Sequence, residues 1–137
     1  MNKLQVKTFL GIDYGEKRIG LALGGEKEQM ARAFKIIQKL NELDDIVPAK
    51  NVCAFVLGLP LQPDGTEGST AESARLFAAR LQEKYGLPLY WQDERKTSVA
   101  AESYLKDTLF MRPDKRKALL DAESARVILQ RWFDTHK

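Results

Sequence analysis

One cysteine and one histidine in 137 residues remove whole classes of chemistry before any motif is read. Cys53 alone closes no internal disulfide, and His136 stands next to the last residue, so disulfide scaffolds, Cys/His zinc sites and Ser-His or Cys-His triads lack their parts. No apolar run approaches the roughly 20 residues that span a bilayer, so no membrane association is expected. Met1 to Lys7 mixes Asn2, Lys3, Gln5 and Lys7 among its apolar residues, so no secretory leader is expected and a cytoplasmic location is. Internal repeats, low-complexity tracts and linkers are missing as well. What remains is 44% hydrophobic and 30% charged residues, the balance of a folded chain, at a length that suits one domain over residues 1–137. With Cys and His so scarce, its chemistry has to come from carboxylates. Twenty-two basic against nineteen acidic residues leave a net charge of +3, which admits a polyanionic partner.

The hydrophobic pattern predicts strands first and α/β units afterwards. Thr8 to Ile12 is β-prone and ends in the turn formers Asp13 to Lys17. Arg18 to Leu23 then runs apolar again, which makes a hairpin. Ala33 to Ile37 extends it into a meander, followed by a short helical or irregular stretch to Pro48. Val52 to Gly58 is continuously apolar, the mark of a strand covered on both faces. Leu59 to Gly68 carries Pro60, Pro63, Gly65 and Gly68 and is irregular; Ser69 with Glu72 three residues on reads as a capping box. Ala74, Phe77, Ala78, Leu81 and Tyr85 then share one helical face as far as Gly86, and Leu87 to Gln92 is a strand. Strand, helix and strand in that order predict a parallel pair. Thr97 or Ser98 caps a helix to about Leu105, Lys106 to Lys117 reads as a mobile loop, and a last helix carries Ala118, Ala122, Ala125, Leu129, Trp132 and Phe133.

Four acids stand at the ends of these elements or inside them. Asp13 follows the first strand, and Asp93 and Glu94 follow the last, where ligand-binding loops of α/β sheets converge. Asp121 shares a helical face with Ala125, Ile128 and Trp132, so it points toward the core side. Buried carboxylates that converge call for a cation, and an oxygen-only donor set favours Mg²⁺ or Mn²⁺. Each acid also has an ordinary reading: Asp13 as a turn residue, Asp93 and Glu94 as solvated or helix-N-terminal charges, Asp121 as an N-terminal residue of a helix that starts late. Cys53, Trp91 and Trp132 read as packing residues and His136 as a frayed tail. Gly11, Gly15 and Gly20 make no dinucleotide fingerprint, because a hairpin follows the first strand where that fingerprint needs a helix.

The run Phe9-Leu10-Gly11-Ile12-Asp13-Tyr14-Gly15-Glu16-Lys17-Arg18-Ile19-Gly20-Leu21-Ala22 resembles the opening of the YqgF or RuvX-like family. The likeness continues through Gly58-Leu59-Pro60-Leu61, Asp64-Gly65-Thr66-Glu67-Gly68, Asp93-Glu94-Arg95-Lys96-Thr97-Ser98, and Asp121 with Ala125 and Ile128-Leu129-Gln130. The family is described as pre-16S rRNA nucleases or Holliday-junction resolvases. The resemblance implies an α/β, ribonuclease H-like fold, with a mixed sheet of an antiparallel meander then parallel strands, flanked by helices. It implies catalytic Asp13, Asp93, Glu94 and Asp121, with Asp13, Asp93 or Glu94, and Asp121 holding Mg²⁺ or Mn²⁺ for two-metal phosphodiester hydrolysis. Arg18, Arg95, Thr97, Lys115 and Arg116 become candidate contacts to the substrate, a structured RNA or a DNA junction, for a monomer or weak homodimer. Glu16 departs from the small hydroxyl residue usual there, and Gly24 to Arg32 departs from the usual Asp-Pro stretch. Glu16 beside the site leaves a nucleic-acid-binding protein without catalysis as one alternative. The Gly-Ile-Asp-Tyr-Gly likeness to the phosphate loop of actin-like ATPases leaves a second.

Overall fold

In the computed structural model, residues 6–95, 97–108 and 112–136 are described, without the side chains at 97, 98, 108 and 114–118. Five strands form one sheet: β1 Thr8–Asp13, β2 Ile19–Gly25, β3 Ala31–Ile37, β4 Val52–Leu59 and β5 Leu89–Asp93, in the order β3-β2-β1-β4-β5. β1, β2 and β3 form the expected antiparallel meander, while β1 with β4 and β4 with β5 are parallel. The sheet is therefore mixed, and the C-terminal ends of β1, β4 and β5 lie at the same edge as the start of β2. The helices are α1 Leu43–Ala49, α2 Ser69–Tyr85, α3 Thr97–Ser103 and α4 Pro113–Thr135, with one π turn over Tyr104–Thr108. No helix among the described residues is long and apolar enough to cross a membrane.

Strand alternation sorts the side chains onto two faces. Leu10 and Ile12 of β1 and Phe55 and Leu57 of β4 meet Leu43, Ile46, Phe77 and Leu81 of α1 and α2 on one face. Phe9 of β1 and Ala54 and Val56 of β4 meet Ala125, Ile128, Leu129 and Phe133 of α4 on the other. Each of the large α4 side chains is buried outright, which stabilises the docked helix by about 1.5–3 kcal/mol apiece. α2 ends as its pattern predicts: Gly86 takes the left-handed conformation at φ 65°, and its N–H donates to the Gln82 carbonyl at 2.9 Å.

Two local readings are corrected. Ser69 does not cap α2; the cap position is Gly68, whose carbonyl accepts the Glu72 N–H, and no side chain caps it. The stretch read as a mobile loop is helical over 106–108 and 113–117. Tyr104–Thr108 forms the π turn, and α4 begins at Pro113 with Arg112 extended before it. Proline at the first helical position lacks an N–H that is unpaired there in any case, so Pro113 starts a helix where its presence suggested a break. Residues 109–111 of that stretch lie outside the described residues.

Candidate active site

α4 sets the site. Its early start puts Asp121 two full turns inside the helix, too far from the N-terminus for a cap or dipole role. The helix crosses the sheet on a row of glycines. Gly20 is the cross-strand partner of Asp13, and a Cβ built on it would collide with the Asp121 carbonyl oxygen. One on Gly11 would meet the Leu129 Cβ at 2.7 Å, and one on Gly58 the Ile128 Cδ1 at 2.5 Å. Glycine at 20 thus lets the α4 backbone approach β2 beside Asp13 closely enough to bring Asp121 into the same cleft. That cleft, of about 440 Å³, is lined by Asp13, Glu94 and Asp121 together with Tyr14, Arg18, Pro60, Leu61, Thr70 and Arg95.

Parity along the strands separates the two neighbouring acids. Leu89 and Trp91 pack with the α2 face, so Asp93 falls on that side and Glu94 on the α4 side, which Asp13 shares with Phe9 and Gly11. Glu94 lies over Gly58, its carboxylate 2.8 Å from where a Cβ would sit, and its side chain is hydrogen-bonded to that of Asp13. Asp93 is turned the other way. It accepts the Arg95 amide at 2.9 Å and the Arg95 guanidinium at 2.9 and 2.7 Å, and these bonds hold its carboxyl below the usual range.

Burial, then the Glu94 charge and hydrogen bond, then the Asp121 charge push Asp13 up to about 8. Burial raises Glu94 as well. Two carboxyl groups in hydrogen-bond contact need a proton between them, so near neutral pH the pair holds one. Asp121 is half-buried, and its Oδ2 accepts the Arg18 Nε–H at 2.9 Å. Among the described residues no group of three His, Cys, Asp or Glu side chains is placed so that it could hold a metal ion as it stands. The donor chemistry nevertheless fits a hard cation such as Mg²⁺ or Mn²⁺, since every donor that Asp13, Glu94 and Asp121 offer to the cleft is a carboxylate oxygen.

Residues 7–135 match the family model described as RuvX, Holliday junction resolvase. The chain belongs to the RuvX family. It is 44% identical to the "Putative pre-16S rRNA nuclease" of Burkholderia vietnamiensis and 41% identical to that of Burkholderia multivorans, each over 93% of this chain and 89% of the relative. Two solved structures share its fold. The Fowlpox virus resolvase, solved with Holliday junction DNA, superposes at TM-score 0.59 with 8% identity, over 94% of this chain and 98% of that one. Thermus thermophilus RuvC, in complex with a Holliday junction substrate, gives 0.55 with 16% identity over 95% of both chains. The fold is ribonuclease H-like.

In this RuvX-family chain the candidate residues divide in three. Asp13, Glu94, Asp121, Arg18 and Arg95 line one cleft. Asp93 borders a neighbouring hollow of about 640 Å³ with Leu61, Pro63 and Arg95. Thr97, Lys115 and Arg116 lie in helices, but their side chains are outside the described residues. Reading the sequence missed Gly20, whose role needs the register of β1 on β2. It also missed Arg131, whose guanidinium donates to the Arg95 carbonyl at 3.0 Å and ties α4 to the turn that carries Glu94. The Tyr14 ring packs tilted against that of Phe77, their centroids 4.7 Å apart, and so fixes the turn after Asp13 to α2. Alternation along β1 and β5 separates Glu94 from Asp93 only once the face that α4 covers is known.

Proposed function

We propose that this protein is a divalent-metal-dependent endonuclease that hydrolyses phosphodiesters of structured nucleic acid, with the 5′ end of precursor 16S rRNA as the preferred substrate. The observation that carries the reading is the Asp13–Glu94 pair, two carboxyl groups held against each other beside a third, Asp121, in one cleft of a RuvX-family fold. A pair so arranged is costly to ionise without a cation. Mg²⁺ or Mn²⁺ held by Asp13, Glu94 and Asp121 would lower the pKa of the attacking water and neutralise the leaving oxyanion. Arg18 and Arg95 bind the phosphate and orient it at the mouth of the cleft, where their planar guanidinium groups match its oxygens. Gly20 and Arg131 hold Asp121 and the Glu94 turn in place. RNA is preferred because the relatives at 41–44% identity carry a precursor-rRNA name, whereas the junction-bound structures share no more than 16%.

The test incubates the purified protein with Mg²⁺ or Mn²⁺ and compares precursor 16S rRNA with a four-way DNA junction. Cleavage of the RNA end, lost in EDTA, is expected. Cleavage of the junction alone would reassign the substrate, and cleavage of neither, with a control nuclease working, would remove the enzymatic reading.

A further inference from the structure

We propose that Arg18 is a latch on the cation site: in the free protein its guanidinium holds Asp121, and an entering phosphate takes the guanidinium over and releases Asp121 to the cation. The latch rests on the metal-nuclease reading above. Arg18 lies in the turn between β1 and β2, and Asp121 lies on α4, 103 residues later. The Arg18 side chain is 64% exposed against 29% for Asp121, so the guanidinium is on the solvent side of the pair. A phosphate arriving from solvent therefore meets Arg18 before it meets the acids. Ion pairs this exposed are weakly held and exchange readily, and a guanidinium fork donates to phosphate oxygens as well as to carboxylate ones.

Asp121 cannot follow Arg18 outward, because its backbone is pressed on Gly20, where even a methyl group would overlap its carbonyl oxygen. Only the side chain can change partner. Arg18 and a cation compete for the same carboxylate, both as positive charges and for its oxygen lone pairs. In the free protein that carboxylate is committed to the arginine, beside the paired Asp13 and Glu94 in the same cleft. By linkage, anything that draws Arg18 away tightens the cation, and a bound cation frees Arg18 for phosphate. The free protein then holds its cation weakly, and the cleft is completed when nucleic acid is present.

The Arg95–Asp93 pair provides an internal comparison. It sets the same charges beside the same cleft, but its carboxylate faces away from Asp13. Mn²⁺ affinity is measured by calorimetry on the nucleic-acid-free protein for wild type, Arg18→Gln, Arg95→Gln, Asp121→Asn and the Arg18→Gln/Asp121→Asn double variant. Thermal unfolding confirms that each is folded. Arg18→Gln is expected to bind Mn²⁺ tighter by about fivefold or more, Arg95→Gln to change it much less, and Arg18→Gln to have no effect in the Asp121→Asn background. Equal gains from Arg18→Gln and Arg95→Gln would reduce the effect to general electrostatics and overturn the latch. So would a gain that survives in Asp121→Asn, or no gain at all in a wild type that binds Mn²⁺. Failure of wild type and Arg18→Gln alike to bind Mn²⁺ would instead overturn the metal site itself, and the latch with it.

Discussion

Asp13 carries the sharpest consequence of the site, because its carboxyl stays protonated where an ordinary aspartate is ionised. Between its usual value of 3.8 and about 8, the folded protein keeps a proton that the unfolded chain releases. The unfolded state then binds fewer protons, so stability falls as pH rises through that window. Thermal unfolding in EDTA should give a Tm that declines from pH 5 to pH 8. Asp13→Asn should flatten the decline and melt higher than wild type at pH 8, since the amide needs no proton. Mg²⁺ should raise the wild-type Tm most at the alkaline end, where it replaces the proton without competition. A Tm slope that Asp13→Asn leaves unchanged would place the titration elsewhere. Asp121 behaves differently, because its partner is an exposed arginine whose ion pair is worth only about 0–1 kcal/mol. Asp121→Asn should therefore shift stability by no more than about 1 kcal/mol and lower cleavage by about a hundredfold or more if the carboxylate completes the cation site. Denaturant unfolding beside a cleavage assay separates the two effects. An active Asp121→Asn enzyme would take this residue out of the site.

At the scale of elements, the position of Asp121 is set by how closely α4 lies on the sheet. Gly20→Ala adds one methyl group and no charge, yet the atom it meets is backbone, which cannot rotate away. The substitution should destabilise the fold by about 1–3 kcal/mol and cost activity by displacing Asp121 from Asp13. Gly11→Ala presses on Leu129 and Ala125, one turn or more further along the helix. It should cost stability with a smaller loss of activity at equal folded fraction, and urea unfolding with cleavage rates for both variants checks the difference. The same geometry explains what could be read in advance. β1, β2, β4 and the crossover through α2 to β5 were legible, since apolar runs and the 3.6-residue period depend only on local order. The trio of acids was nearly legible: Asp13, Glu94 and Asp121 all appeared among the candidates. The choice between Asp93 and Glu94 required knowing which face α4 covers. The Arg18–Asp121 pair joins residues 103 apart, and the closeness at Gly20 depends on strand register. Neither leaves a periodic trace. Pro113 misled for a local reason, because the same residue that breaks a helix interior is favoured at a helix start.

Over the whole molecule, the sheet order gathers the acids at one edge while the net charge of +3 leaves the protein attracted to polyanions. In the proposed nuclease, binding would rest chiefly on the arginines at the mouth and hydrolysis on the carboxylates within, so variants at Arg95 and Asp13 would separate the two. Phosphate-bound arginines release counterions, so affinity for RNA or a DNA junction should fall with rising salt. Arg95→Gln removes one such arginine and should shallow the log–log slope by about 0.7–0.9. Asp13→Asn should leave that slope intact, and should bind about as tightly as wild type in EDTA near neutral pH, since the amide replaces a carboxyl that already holds a proton there. Its cleavage in Mg²⁺ should nevertheless be abolished. Anisotropy of a labelled RNA hairpin across a salt series, run beside the cleavage assay, reads both quantities. Should Asp13→Asn keep full cleavage, or should the wild type bind and never cut, the acids would be scaffolding beneath a nucleic-acid-binding surface. Loss of cleavage with binding preserved is the pattern that a metal-dependent nuclease built on this cleft requires.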